Sequence, residues 1–300
     1  MNKLKVTNDY VFKKIFGKKG NESILKDFLI AVLEIPIEKI EVLKDAHLEK
    51  SLEENKLGIL DIKATLNNNI IVNIEMQVKN QYNIKERSLY YWSNLYSNNL
   101  YKNQDYIENN KTITINILDF NVFKEGPYHE KCKIMREYNK EVLTEDLEIH
   151  FIQIPKCKKE NIKTKLDYWM QFIGNISKEG VEKAMEVNKE IKKAQEELEY
   201  LTGDEEERRI AELREKAIRD EKTNLRGARE EGMKEGIKEG REAGMKDGRA
   251  EGETNKQLEI AKKMKKMNMS IETIAQITGL TKPEIEEIWE NLYIESFNVL

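Results

Sequence analysis

Gly58-Ile-Leu-Asp61-Ile-Lys-Ala-Thr-Leu66, then Asn67-Asn68-Asn69, then Ile70-Ile-Val-Asn-Ile-Glu75-Met-Gln77-Val-Lys79 is the stretch on which the fold turns. Both flanks alternate polar and apolar residues, the period-2 pattern of a strand with one buried face. In the second flank Ile70, Val72, Ile74, Met76 and Val78 share one face. Asn73, Glu75, Gln77 and Lys79 share the other with Ile71. In the first, Leu60, Ile62, Ala64 and Leu66 alternate with Asp61, Lys63 and Thr65. The three asparagines between them suit the positive φ angles of a tight hairpin. Such a hairpin places Asp61 near Glu75 across the sheet.

Two neighbouring carboxylates repel, so they share a proton or hold a cation between them. A hard divalent cation such as Mg²⁺ takes oxygen ligands and keeps several waters. It polarises a phosphate oxygen and lowers the pKa of bound water, which phosphodiester hydrolysis requires. Gln77 and Lys79 project from the same face and could position water or phosphate. The competing account from pattern alone is a hairpin with one solvated face, since alternating strands normally expose their charged residues.

A set of ordered blocks discriminates further: Asn8-Asp9-Tyr10-Val-Phe12-Lys-Lys-Ile15-Phe16-Gly17, Asp61-Ile-Lys, Asn73-Ile-Glu75-Met-Gln77, Arg87-Ser-Leu-Tyr90-Tyr91-Trp92 and Ile117-Leu-Asp-Phe120. Over roughly the first half of the chain this order resembles the Rpn family of recombination-promoting nucleases and transposases, within the PD-(D/E)XK nuclease superfamily. The resemblance implies a DNA endonuclease dependent on Mg²⁺, for which Mn²⁺ can substitute, with Asp61 and Glu75 as metal ligands. Gln77 stands where the wider superfamily most often has lysine. That removes the cation usually credited with activating water, a role Lys79 could take only if the strand end bends inward. Superfamily members often bring an extra acid from an N-terminal helix, which makes Asp9 a possible accessory acid. Its ordinary alternative is a first-turn acid favoured by the helix dipole.

Composition sets outer limits. A chain of 300 residues holds a domain of about 150 residues and further elements. With 35% charged and 39% hydrophobic residues, not all of it can be packed core. A net charge of −4 argues against a constitutively basic nucleic-acid binder, although a nuclease needs only a local basic surface. Cys132 and Cys157 lack a Cys-x-x-Cys spacing and read as reduced thiols of a cytoplasmic protein. No apolar run reaches the length of a membrane span, and no signal-peptide core opens the chain, so no membrane partner is expected. His47, His129 and His150 lack metal-ligand spacing and read as surface or strand-edge residues. No phosphate-binding glycine loop supports a nucleotide cofactor.

Elsewhere the pattern predicts a helix through Val11, Phe12, Ile15 and Phe16, and another from Ile24 to Leu33 stopped by Pro36. Residues 85–101 form a third amphipathic helix, with Arg87, Tyr91, Asn94 and Asn98 in one polar stripe. That stripe could face a scissile phosphate, with Arg87 as a charge-assisted clamp and Tyr91 beside it; an ordinary salt bridge is the alternative for Arg87. Residues 112–120 form a strand, and 133–138 with 147–154 a strand pair. The fold class is α/β: a restriction-endonuclease-like core with a mixed central sheet, followed by a long charged helical region and a C-terminal helix-turn-helix-like hairpin.

Four segments follow: a nuclease-like domain over 1–155, a helical extension over 156–202, a charged glycine-repeat helix or spacer over 203–255, and the hairpin over 256–300. The extension reads as helices 161–176 and 178–200. Gly232, Gly236, Gly240, Gly244, Gly248 and Gly252 recur every four residues. Each glycine costs a helix about 1 kcal/mol relative to alanine, so six cost about 5–6 kcal/mol. The two accounts are a marginal solvated helix or spacer, and a self-association stripe. In the hairpin Ser270 and Thr281 read as N-caps, Gly279 as the break and Pro283 as a first-turn proline. Its second helix carries Glu284, Glu286, Glu287 and Glu290, which would repel phosphates, so helix packing or homo-oligomerisation is expected there before DNA recognition. The expected activity is DNA phosphodiester hydrolysis in recombination, transposition-like events or defence against foreign DNA. The alternative is an inactive DNA- or protein-binding relative that keeps the fold and assembles through its C-terminal helices.

Overall fold

The computed structural model describes residues 3–43, 61–67, 69–79, 83–99, 105–106, 109–158, 160 and 162–288, with Asp61 described in its backbone alone. The expectations on His47, on Gly58 to Leu60, on residues 100–101 and on Glu290 lie outside the described residues. Contacts divide the chain into one unit of residues 1–221 and a second of 222–300.

The first unit is built on six strands in the order β1-β2-β3-β4-β6-β5. They are β1 (Ile40–Val42), β2 (Asp61–Leu66), β3 (Ile70–Gln77), β4 (Lys111–Leu118), β5 (His129–Cys132) and β6 (Leu147–Gln153). The strands β1, β2 and β3 pair antiparallel, β3, β4 and β6 run parallel, and β5 returns antiparallel on β6. The sheet is therefore mixed, as expected of an α/β restriction-endonuclease-like core. The β2–β3 turn holds Asn67 at φ 50°. Its amide also accepts from the backbone N–H of Glu38 and Lys39 and donates to the Pro36 carbonyl, tying the entry to β1 onto the hairpin.

Helices α1 (Asp9–Phe16) and α2 (Glu22–Leu33) cover one face of the sheet. The Asn8 side chain caps α1 by accepting from the Tyr10 and Val11 amides. The last turn of α2 closes on Glu34 in the left-handed region, two residues before the proline that forbids continuation. On this face Ile62, Ala64, Val72, Ile74, Met76, Ile113, Ile115 and Ile117 meet the aromatic cluster of Phe12, Phe16 and Phe28. The opposite face is covered by α3 (Ile84–Asn98), where Ile84 and Trp92 pack with Leu118, Leu147, Ile149 and Phe151.

The stretch 156–202, read as an extension of a domain ending at 155, belongs to the main core. It folds as α4 (Lys165–Gly174), α5 (Lys178–Val187) and α6 (Lys189–Gly203). Trp169 is fully buried against Phe16 and Phe28, and its indole N–H donates to Asp27 at 3.0 Å. The side-chain amide of Asn188 donates to the same carboxylate at 2.7 Å, while its oxygen caps α6. Asn188 thereby breaks the single helix expected over 178–200 into two.

Helix α7 (Glu205–Lys266) is continuous across the charged run and the glycine repeat. Its first part is fixed to α1: Tyr10 donates to Glu207 at 2.5 Å, Lys14 pairs with Glu207 at 2.6 Å, and Asn8 donates to the Ala211 carbonyl. From Gly232 to Gly252 a Cβ added at any repeat glycine would meet nothing within 4 Å. In the second unit Ala261, Ile274, Leu280, Ile285 and Ile288 form a small core between the end of α7, α8 (Ile271–Thr278) and a helical segment at 282–288. Ser270 caps α8, Gly279 ends it at φ 77°, and Glu284 accepts from both the amide and hydroxyl of Thr281.

Two further strand-region expectations are corrected. The partner of β6 is 129–132 rather than 133–138; the latter stretch instead turns back on itself through a Met135–Val142 bridge and an Arg136–Glu141 ion pair. His150 is fully buried, 2.8 Å from the His129 ring and 3.3 Å from Glu148. Burial opposes the Glu148 charge, yet His150 and Lys111 hold its carboxyl well below the usual range. Burial lowers the pKa of both imidazoles, that of His129 to about 4.

Trp169→Ala should cost the first unit about 3–5 kcal/mol in urea unfolding, as for a large core aromatic and not a peripheral helix. For the histidines the unfolded chain gains protons from pH 6.5 downward while His129 resists until about 4. The unfolded state then binds more protons, so stability should be lost as the pH drops through that window, by about 3 kcal/mol. His129→Phe should flatten that limb in unfolding curves taken from pH 7 to 4.

Candidate active site

The residues Val72, Ile74 and Met76 face the larger core, so strand alternation turns Asn73, Glu75 and Gln77 to the face under α3. Glu75 is only 2% exposed. One carboxylate oxygen accepts from the Asn73 amide at 3.2 Å, the other from the Gln77 amide at 2.8 Å. Arg87, in the first turn of α3, brings Nη2 to 3.8 Å from the same oxygen as Gln77 and lies over the Tyr91 ring at 5.9 Å. An uncompensated charge so buried costs several kcal/mol, and these three partners offset it.

Antiparallel pairing sets Asp61 directly opposite Glu75 and Lys63 opposite Asn73. A cleft of about 190 Å³ opens between this part of the sheet and α3. Its walls are Lys63, Asn73 and Glu75 on the strands and Tyr91, Asn94, Leu95 and Asn98 on the helix. Positions 91, 94, 95 and 98 follow i, i+3, i+4 and i+7, the spacing of one helix face. Below them Ser88 donates to Asn116 on β4, and Asn116 donates to the His150 carbonyl.

The donor chemistry fits a hard divalent cation. Asn73 Oδ1 is buried without a hydrogen-bond partner and belongs to the residue whose amide holds Glu75. Thr114 Oγ1, on the residue paired with Asn73 across β3 and β4, is also buried and unpartnered. An amide oxygen, the Glu75 carboxylate and the position of Asp61 make an oxygen-only set, the type that Mg²⁺-like ions take. Among the described residues no three His, Cys, Asp or Glu side chains cluster as a metal site.

The residues expected from the sequence divide into two groups. Glu75, Gln77, Arg87 and Tyr91 come together, with Asp61 opposite Glu75 in register. Arg87 is engaged with Glu75, the salt-bridge account of that residue. Lys79 is ion-paired with Glu221 of α7. Asp9 is buried in a two-pronged pair with Arg214, at 2.6 Å and 2.9 Å to one oxygen, so its carboxylate is committed to α7. Asn73 and Lys63 were not among the expected site residues. Their signal was positional: each stands two residues from an expected acid, on the same strand face.

A family model described as PD-(D/E)XK nuclease family transposase matches residues 6–228. No curated protein and no solved structure matches the chain. The match ends near the boundary of the first unit at residue 221, so it takes in α4 to α6 and the start of α7.

Arg87→Met should destabilise the first unit by roughly 3 kcal/mol in denaturant, because the buried Glu75 carboxylate loses its nearby guanidinium. Gln77→Ala should cost less, about 1.5 kcal/mol, the value of one hydrogen bond to a charged group at the low end. Equal losses in the two variants would refute Arg87 as the charge that compensates Glu75.

Proposed function

Because the chain belongs to the PD-(D/E)XK nuclease family transposases, we propose that it is a metal-dependent DNA endonuclease that hydrolyses phosphodiester bonds, with Mg²⁺ as its ion and Mn²⁺ as a substitute. The observation that carries this reading is the buried Glu75 carboxylate, opposite Asp61 in register and opening on a cleft with an unpartnered amide oxygen beside it. A merely solvated hairpin face would leave Glu75 in water and would not enclose it with Gln77 and Arg87.

Asp61 and Glu75 are the residues that would hold the ion, with Asn73 Oδ1 as a further oxygen donor. When bound, such an ion polarises a phosphate oxygen and lowers the pKa of its water. The protein supplies the rest. Gln77 and Asn73 fix the Glu75 carboxylate by hydrogen bonds, and Arg87 places a positive charge beside it in a buried setting. Tyr91, Asn94 and Asn98 line the cleft with groups that donate to phosphate or sugar oxygens. The setting is DNA recombination of transposition type or defence against foreign DNA, with self-association through the C-terminal helices.

One observation favours a second reading, an inactive relative that binds DNA or protein. Gln77 occupies the position of the superfamily lysine and spends its amide on Glu75.

Purified protein should nick supercoiled plasmid in Mg²⁺ or Mn²⁺ and not in EDTA. Asp61→Ala and Glu75→Ala should each reduce nicking to the background seen without protein. A folded wild-type chain that never cuts, yet retards DNA in a gel, would move the assignment to the second reading.

A further inference from the structure

The cleft places a lysine where neither Gln77 nor Lys79 can serve. Phosphodiester hydrolysis builds negative charge on the phosphoryl oxygens, and a fixed cation beside them stabilises that charge where water is excluded. Gln77 is neutral and bound to Glu75 at 2.8 Å, Lys79 is paired with Glu221, and Arg87 lies 3.8 Å from Glu75. Lys63 is different. It lies two residues after Asp61 on β2, pairs in register with Asn73, and contributes to the wall of the cleft that Glu75 and Tyr91 also line. Among the described residues lining that cleft it is the one lysine or arginine. Diagonal neighbours on one sheet face stand about 7–8 Å apart, within reach of a lysine side chain.

We propose that Lys63 is the phosphate-binding cation of this site, a catalytic residue supplied by the strand of Asp61 in place of a lysine two positions after Glu75. The proposal rests on the nuclease reading and deepens it. Lys63 stays an ammonium throughout. Water forms the new P–O bond and gives its proton to solvent; the broken P–O bond leaves an alkoxide that takes a proton from solvent. The role explains how a chain with glutamine at position 77 can retain turnover: the charge has changed strand while keeping its face.

Two readouts test this on the full-length protein. In EDTA, binding of a labelled DNA duplex is followed by anisotropy from low to moderate salt. Lys63→Met should flatten the dependence of log Kd on log salt by about one ion. In Mg²⁺ the same variant should cut plasmid about 10²- to 10³-fold more slowly, the scale of losing one charge-stabilising group. Lys63→Arg should keep the salt slope. Adding Gln77→Lys to Lys63→Met should recover at least about tenfold of the lost rate, which a purely structural role for Lys63 would not permit. If Lys63→Met matches wild type in both slope and rate, Lys63 is not this cation and the nuclease reading stands. If Lys63→Met does not fold, a Lys63→Gln variant with wild-type slope and rate is equally fatal. A wild-type chain that neither binds nor cuts DNA removes both proposals.

Discussion

The first unit is organised around a buried negative charge. Glu75 sits at 2% exposure on a central strand, where an ionised carboxylate is tolerated only with dedicated partners. Those partners constrain the fold at three scales. Asn73 and Gln77 must stand at i−2 and i+2, which demands an unbroken extended strand from 73 to 77. Arg87 must arrive from above, so α3 has to begin close after the strand and lie across it. Parallel β4 must then return beside β3, which makes β3, α3 and β4 one crossover unit. Any rearrangement that lifts α3 would leave the carboxylate buried without its cation, so the cleft is held in shape by the same pair that it surrounds.

The sheet separates its duties by face. On one side aliphatic residues of β2, β3 and β4 alternate into a core with Phe12, Phe16, Phe28 and Trp169, where no polar group interrupts the packing along these three strands. On the other, β3 and β4 present Asn73, Glu75, Thr114 and Asn116, with apolar packing resuming only toward β6. Stability is thus concentrated opposite the polar floor. The helices after residue 156 belong to the stabilising side, and the family match over 6–228 takes them in. The start of α7 extends this arrangement by pairing Arg214 with Asp9 and Glu221 with Lys79, charges that would otherwise be candidates for the cleft.

Much of this was legible from particular residues. Period 2 from Ile70 to Gln77 assigns the two faces of β3 correctly, and the run of three asparagines marks the turn, because both signals arise from backbone geometry that a short segment contains in full. The stripe of Tyr91, Asn94 and Asn98 was equally readable from helical spacing, and all three line the cleft. What escaped depends on partners distant in sequence. Asp9 and Arg214 are 205 residues apart, and no local pattern reveals that an acid in a first helical turn will be claimed by a later helix. Trp169 likewise looks like the apolar face of any amphipathic helix until Asp27 and Phe16 are placed against it. The His129–His150 contact depends on which short segment pairs with β6, and the sequence offers 133–138 as a competitor for that edge.

The glycine repeat is the part of the chain in which local cost and observed structure disagree most. Six glycines between 232 and 252 weaken α7 by about 5–6 kcal/mol relative to alanine, yet the helix runs through them. In a packed helix such glycines are explained by a neighbour too close for a Cβ. Here a Cβ would meet open space at every one of them, so alanine would fit within the single chain and be more stable. The side chains next to the stripe include exposed Met233, Ile237 and Met245, which gain nothing from solvent either. Packing among the described residues of one copy therefore does not account for the repeat, and the helix carries the cost of its glycines in open space.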